Sequence, residues 1–347
     1  MKWIRHKIER IWGKILGPQK GNDERYAWYV RRVKWSEKCF SKLETHYNTK
    51  AEQTADDTKK IVICVYDGYI QMQGLADRLR GILSTYYLCK CLQIDFCLVF
   101  RHPFLLQDYL VPNEYDWQKY SNLLRYDIPR KNILILFTGR QGPYEKRRQE
   151  KWLKKHLKKS KGQIHVYTNA FFSYDNDYHS LFNELFRPSE RLQKAITYHL
   201  EKLKGGYISV SCRFRNLLGD FNETKGCDNK LTLTEKERLL SSVLEQIALL
   251  HQQHPRKTIL CNSDSKTFLH SASCLDYTYV IPGIVTHIDA NDLPNRDYLF
   301  YEKTFLDFFM IAHAEHIYTL KTGKMYETGF PYAASFIYQR PYDIIVF

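Results

Sequence analysis

The sequence predicts an α/β protein built as two doubly wound, Rossmann-like halves facing a cleft, with a basic helical extension in front. Three observations carry this. Short apolar runs rich in β-branched residues alternate with helical patterns from residue 61 onward, the signature of parallel βαβ units. The pattern restarts after Gly205-Gly206, a helix stop. Finally, 347 residues suit two cores, with 44% hydrophobic and 26% charged residues, an ordinary globular balance.

The elements follow in order. IVICVY (61–66) is the first strand, and a helix over 74–92 follows. DFCLVF (95–100) and NILILFTG (132–139) are the next strands, a basic helix spans 144–160, and IHVYTN (164–169) closes the half. PSERLQKAITYHLEKLK (188–204) reads as a linking helix. YISVSC (207–212), TILCNS (258–263), YTYVIPG (277–283), HIYTLK (316–321) and DIIVF (343–347) are the strands of the second half. Its helices are 232–253, opened by Thr232 or Thr234, then 301–314, then one from about 324. The expected units are therefore a basic helical extension 1–58, a first Rossmann-like half 59–187, a linker helix 188–206 and a second Rossmann-like half 207–347.

Charge and cysteines narrow the class. The net charge of +14 is concentrated in two places. Residues 1–38 hold 11 Lys/Arg against 4 Asp/Glu, residues 140–161 hold 10 against 2, and the remainder is near neutral. No basic stripe interleaved with aromatics or nucleic-acid module is evident, so nucleic acid is not an expected partner. In residues 2–16, Trp3, Ile4, Ile8, Ile11, Trp12, Ile15 and Leu16 recur at helical spacing among lysines and arginines. That is the pattern of an interfacial helix on an anionic membrane surface, or of one packed on its own protein. The start lacks an apolar signal core, and nine cysteines, several in apolar runs, suit a reducing, cytoplasmic setting.

Ligands bind at the carboxyl ends of strands in open α/β sheets, which selects four loops. The first offers Asp67, Gly74, Asp77 and Arg78 to an acceptor or sugar. Here glycine permits close backbone approach and the helix start exposes N–H groups, while capping by Asp77 beside a solvated Arg78 is the plainer alternative. The second, after YISVSC, delivers Arg213 and Arg215, which share a face if extended geometry continues, with Asn216, Asp220 and Glu223 behind them. Arginine forks suit a diphosphate, and a carboxylate nearby can deprotonate an attacking hydroxyl; an Arg215–Asp220 salt bridge is the structural alternative. The third places Asp264 and Ser265 where they contact a ribose or base edge, or cap the next helix. The fourth, Thr322-Gly323-Lys324, reads as a phosphate nest opening a helix. Asp175-Asn176-Asp177 is taken as a turn and cap, and no His spacing suits a metal. No Gly-x-Gly-x-x-Gly dinucleotide fingerprint is present.

Three segments together resemble the fucosyltransferase superfamily of α-1,6-, nodulation and protein O-fucosyltransferases. They are GLADRLRGILSTYYLCKCLQ, YISVSCRFRNLLGDF and LDFFMIAHAEHIYTLKTGKMYETGFPYAASF, in order within residues 61–340. The resemblance implies a GT-B fold and inverting transfer of fucose from GDP-fucose without a metal or other cofactor. It assigns Arg213 to the β-phosphate and places Asp220 or Glu223 near the family's proposed base. Ser211 stands where the family often has His, and Phe214 where it often has a second Arg, with Arg215 one position on. The acceptor is expected to be an oligosaccharide or lipid-linked glycan of surface polysaccharide synthesis. Alternatives are another nucleotide sugar, a pyruvyl-type transfer, or a non-catalytic membrane-surface or polyanion-binding protein.

Overall fold

The computed structural model describes residues 38–48, 59–136, 143–169, 177–221, 231–286, 288 and 297–347, with side chains of 143–149 excepted. The segment 2–16, Glu223 and Asp175-Asn176 lie outside the described residues.

The first half runs β1 (Ile61–Tyr66), α1 (Leu75–Leu92), β2 (Asp95–Phe100), β3 (Leu110–Pro112), β4 (Ile133–Leu136), α2 (Pro143–Lys159), β5 (Gln163–Thr168), α3 (Tyr178–Leu185) and β6 (Phe186–Pro188). Strands β2-β1-β5-β4 form a parallel sheet. Every residue of β1 and β5 is buried, as expected for parallel strands covered on both faces. At Gly81 on α1, a Cβ would stand 2.2 Å from the Thr168 carbonyl oxygen, so the helix lies directly on the end of β5.

The second half runs α4 (Glu190–Lys202), β7 (Tyr207–Cys212), α5 (Leu233–Gln253), β8 (Thr258–Ser263), α6 (Lys266–Ser273), β9 (Thr278–Tyr279), α7 (Tyr298–His313), β10 (Ile317–Lys321), α8 (Gly329–Ser335) and β11 (Tyr342–Val346). Its parallel sheet has the order β11-β10-β7-β8-β9, with β7 at the centre. Thr232 opens α5 through a reciprocal capping box with Glu235.

Two expectations need correction, and one element was missed. The strand read at 277–283 is only two residues long, since it is an edge strand and Pro282 lacks an N–H to pair. The final helix starts at Gly329, not 324: Thr328 caps it by accepting from the Phe330 N–H, and Pro331 occupies the first turn, where a missing N–H costs nothing. The antiparallel pair β3–β6 was not legible, because three-residue strands give too little periodicity.

The core crosses between the halves. α7 is buried almost all round. Phe305 stacks on Tyr109 at 4.3 Å and meets Phe104 at 5.4 Å, while Phe309 lies 6.2 Å from Phe182. A second cluster around Val210, Phe214, Val243 and Phe268 fills the far face of the second sheet. Cys39, Cys64, Cys89, Cys97, Cys212 and Cys261 are buried free thiols, and Cys91 and Cys274 are exposed ones. No described helix is long and apolar enough to cross a membrane.

Candidate active site

The loop after β7 is organised by one buried carboxylate. Asp264, at the end of β8, is 6% exposed. Its Oδ1 accepts from the Phe214 N–H and its Oδ2 from the Arg215 N–H, both at 2.8 Å. Arg213 Nε stands 3.5 Å from Oδ2. Burial pushes the Asp264 carboxyl up, while Arg213 and the two N–H groups pull it back. Asp264 therefore holds the loop in place.

This grip turns the chain. β7 ends at Cys212, and Arg215 adopts a left-handed conformation with φ 56°, which is uncommon for a side chain of its size. Arg213 and Arg215 consequently do not share the extended face expected of them. The Arg213 guanidinium lies 5.8 Å from the centre of the Phe221 ring, and that of Arg215 lies 4.4 Å above Tyr326. The half-buried Asn216 accepts from the Gly219 N–H at 3.1 Å through its backbone carbonyl, closing the loop into a turn.

Asp220 engages the start of α6. Its Oδ2 accepts from Ser265 Oγ at 2.8 Å and from the Thr267 N–H at 2.6 Å. Ser265 in turn caps α6 by accepting from the Phe268 N–H at 3.1 Å. Of the two readings of Ser265, the cap is present, and Asp220 reinforces it. Asp220 Oδ1, Ser211 Oγ and Asn262 Oδ1 are buried polar atoms without a hydrogen-bond partner among the described residues. Ser211 and Asn262 are register partners across β7 and β8, so both side chains point to one face of the sheet.

The fourth loop joins the second through the backbone, where the Tyr326 N–H donates to the Arg213 carbonyl at 3.0 Å. Thr322-Gly323-Lys324 forms a turn closed by Met325 N–H to the Thr322 carbonyl, with Gly323 at φ 52°. It opens no helix, so the helix-dipole part of the nest reading falls away. The Thr322 hydroxyl donates to the carbonyl of Phe347, and Lys324 is exposed. Tyr326, not singled out from the sequence, lies under the Arg215 guanidinium. Its only sequence signal was its place in the same loop.

At the carboxyl edge of the first sheet, Arg78 is buried, contrary to the solvated expectation. It donates to the carbonyls of Gln73 at 2.9 Å and His102 at 2.7 Å, pinning the loop. Asp77 pairs with Arg80. Gly74 is the N-cap of α1 and supplies no side-chain cap. Asp67 accepts from Tyr167 Oη at 2.7 Å and from the Tyr69 N–H at 3.1 Å, and burial pushes its carboxyl up.

Behind Asp67 lies a buried chain that sequence reading missed, since its members are far apart along the chain. Tyr167 Oη is 2.9 Å from Tyr47 Oη, which is 2.6 Å from His165 Nδ1. Nε2 of that imidazole faces Gln163 Oε1 at 3.3 Å and so carries the ring proton, leaving Nδ1 to accept from Tyr47. Burial, helped by the charge of Arg125, pushes His165 down to about 3. An unfolded chain protonates histidine near pH 6.5. Below that pH the unfolded state binds a proton that the folded state refuses, so stability falls from about pH 6.5 towards 3. His165→Gln is expected to flatten the dependence of melting temperature on pH between those limits. Equal slopes in the two proteins would refute this account.

No family model and no curated protein matches the chain. Among solved structures, a mutant of Arabidopsis thaliana FUT1 in complex with GDP matches 89% of this chain and 74% of its own, at TM-score 0.50 and 13% identity. NodZ α-1,6-fucosyltransferase soaked with GDP-fucose matches 80% of this chain and 92% of its own, at TM-score 0.48 and 11% identity. POFUT1 in complex with GDP-fucose matches 85% and 99%, at TM-score 0.39 and 13% identity. These neighbours fall in the superfamily that the three sequence segments resemble. At such identity the FUT1 match speaks for the fold: this chain is an α/β protein folded like FUT1.

Proposed function

We propose that the protein is a glycosyltransferase that moves fucose from GDP-fucose to a hydroxyl of a glycan acceptor, with inversion and without a metal. The observation that carries the reading is the Arg213–Asp264–Arg215 loop at the carboxyl end of the central strand. It concentrates two arginines where a doubly wound sheet binds phosphate-bearing ligands. In the displacement, the acceptor oxygen bonds to the anomeric carbon as the bond from that carbon to the diphosphate breaks. The electron pair leaves on the β-phosphate, and Arg213, supported by Arg215, neutralises that charge.

The acceptor proton needs a carboxylate. Of the residues the sequence offers, Asp220 already holds α6 through Oδ2, and Glu223 lies outside the described residues. We assign the role to Asp67. Burial raises its affinity for a proton, and Tyr167 fixes its orientation. Its place at the carboxyl edge of the first sheet suits an acceptor glycan, and a lipid-linked glycan met at the cytoplasmic face of a membrane fits the basic N-terminal segment.

The test is a thermal-shift series with GDP, UDP, CDP and their sugars, followed by donor hydrolysis with and without EDTA. A response to GDP and GDP-fucose alone, with hydrolysis insensitive to EDTA, is the expected result. A preference for UDP or CDP overturns the donor. EDTA sensitivity overturns metal independence and returns attention to Asp175-Asn176-Asp177.

A further inference from the structure

The basic helix α2 ends in a groove that the transfer reaction does not use. The groove has a volume of about 650 Å³ and is lined by Lys131, Lys155, Lys159, Lys161, Trp152, His156 and Ser160. Among the described residues no acidic side chain lines it. Its lysines come from three places: the turn before β4, the last turns of α2, and the loop into β5. The dipole at a helix C-terminus accounts for lysines on α2. It does not account for Lys131 and Lys161, which other segments bring to the same hollow.

The groove is built. Leu153 and Leu157 are fully buried and fix α2 on the sheet, leaving Trp152, Lys155, His156 and Lys159 on the outer face at helical spacing. His156 Nε2 bonds the Lys131 carbonyl at 2.9 Å, tying helix and turn together. Trp152 is 48% exposed, with its ring stacked on His156 at 5.2 Å. Like charges at this spacing repel, so the arrangement is unfavourable until an anion enters.

Lysines are point charges suited to phosphate, and a half-exposed tryptophan among them is the side chain that settles at a headgroup boundary. Strands β4 and β5 begin beside the groove, whereas Asp67 lies at the opposite, carboxyl edge of the same sheet. We propose that the groove takes the phosphate of an anionic lipid headgroup, seating the amino-terminal edge of the first sheet on the membrane and leaving the Asp67 edge turned outward. The proposal stands apart from the reaction assigned above.

The experiment is vesicle co-sedimentation of the full chain at physiological ionic strength. Vesicles of phosphatidylcholine alone are compared with vesicles containing phosphatidylglycerol. Binding to the anionic vesicles only is expected, with Lys155→Glu/Lys159→Glu weakening it about tenfold or more and Trp152→Ala weakening it further. Lys194→Glu/Lys204→Glu changes the net charge equally at exposed positions elsewhere and is expected to bind as the parent does. Melting curves establish that each variant is folded. Unchanged binding by the groove variant, or equal loss in the control, overturns the proposal. So does displacement of the protein from vesicles by inorganic phosphate at modest concentration, which would make the groove a site for free phosphate. Preferential binding of an acidic polysaccharide over vesicles overturns it as well.

Discussion

Arg213→Ala is expected to lower the rate of sugar transfer by roughly 10²–10³, the scale of losing one preorganised group that meets charge developing in a transition state. The charge on the departing diphosphate grows as the glycosidic bond breaks, so the loss should fall mainly on kcat and less on the donor KM. The fold should survive. Asp264 keeps its two backbone donors from Phe214 and Arg215, so the loop remains in place. Arg213→Lys restores charge without the planar fork and should recover only part of the rate. Steady-state kinetics with GDP-fucose and a melting curve for each variant decide the matter. Near-normal turnover in a folded Arg213→Ala protein would remove the residue from the mechanism.

The larger structural effect belongs to Asp264→Ala. The substitution leaves the N–H groups of Phe214 and Arg215 without their acceptor, in a loop closed by Leu217 and Leu218. Each buried donor so orphaned costs about 1–3 kcal/mol, and removing one partner of a buried charge pair costs about 3–5 kcal/mol. Arg213 is itself 19% exposed and the Arg215 bond only partly buried, so the loss of stability is on the order of 2–3 kcal/mol. Arg215 also loses the bond that holds it in the left-handed region and should relax to an ordinary conformation. Activity is then lost through misplacement of both arginines. Asp264→Asn keeps one acceptor oxygen and should fall between parent and alanine. Urea denaturation measures this directly, and an unchanged midpoint for Asp264→Ala would show that the loop holds itself.

Periodicity made the βαβ order legible. Runs such as IVICVY and YISVSC are buried along their whole length, and a continuous apolar stretch is what a two-sided parallel strand must look like. The loops at strand ends were legible for the same reason, because topology fixes where chemistry sits before any side chain is placed. Orientation was not. Arg215 read as extended because nothing local announces that a carboxylate from the neighbouring strand will seize its N–H. The bond of Asp220 to α6 was not legible either, because a free carboxylate and a helix-capping one have the same letter. The chain from Asp67 through Tyr167 and Tyr47 to His165 is linked by contacts 100 to 120 positions apart, beyond the reach of any local pattern.

The placement of α7 has a consequence for anyone recombining chains of this fold. An exchange of everything after Gly206, meant to swap the donor specificity, would carry away Phe305, Phe308 and Phe309, and with them part of the wall against which Phe104, Tyr109 and Phe182 rest. The graft would arrive with aromatic rings cut to another protein's hollows. A workable chimera must retain the 298–313 helix with its original first half and splice on either side of it. The boundary that matters for inheritance thus follows the packing of rings and not the order of the chain.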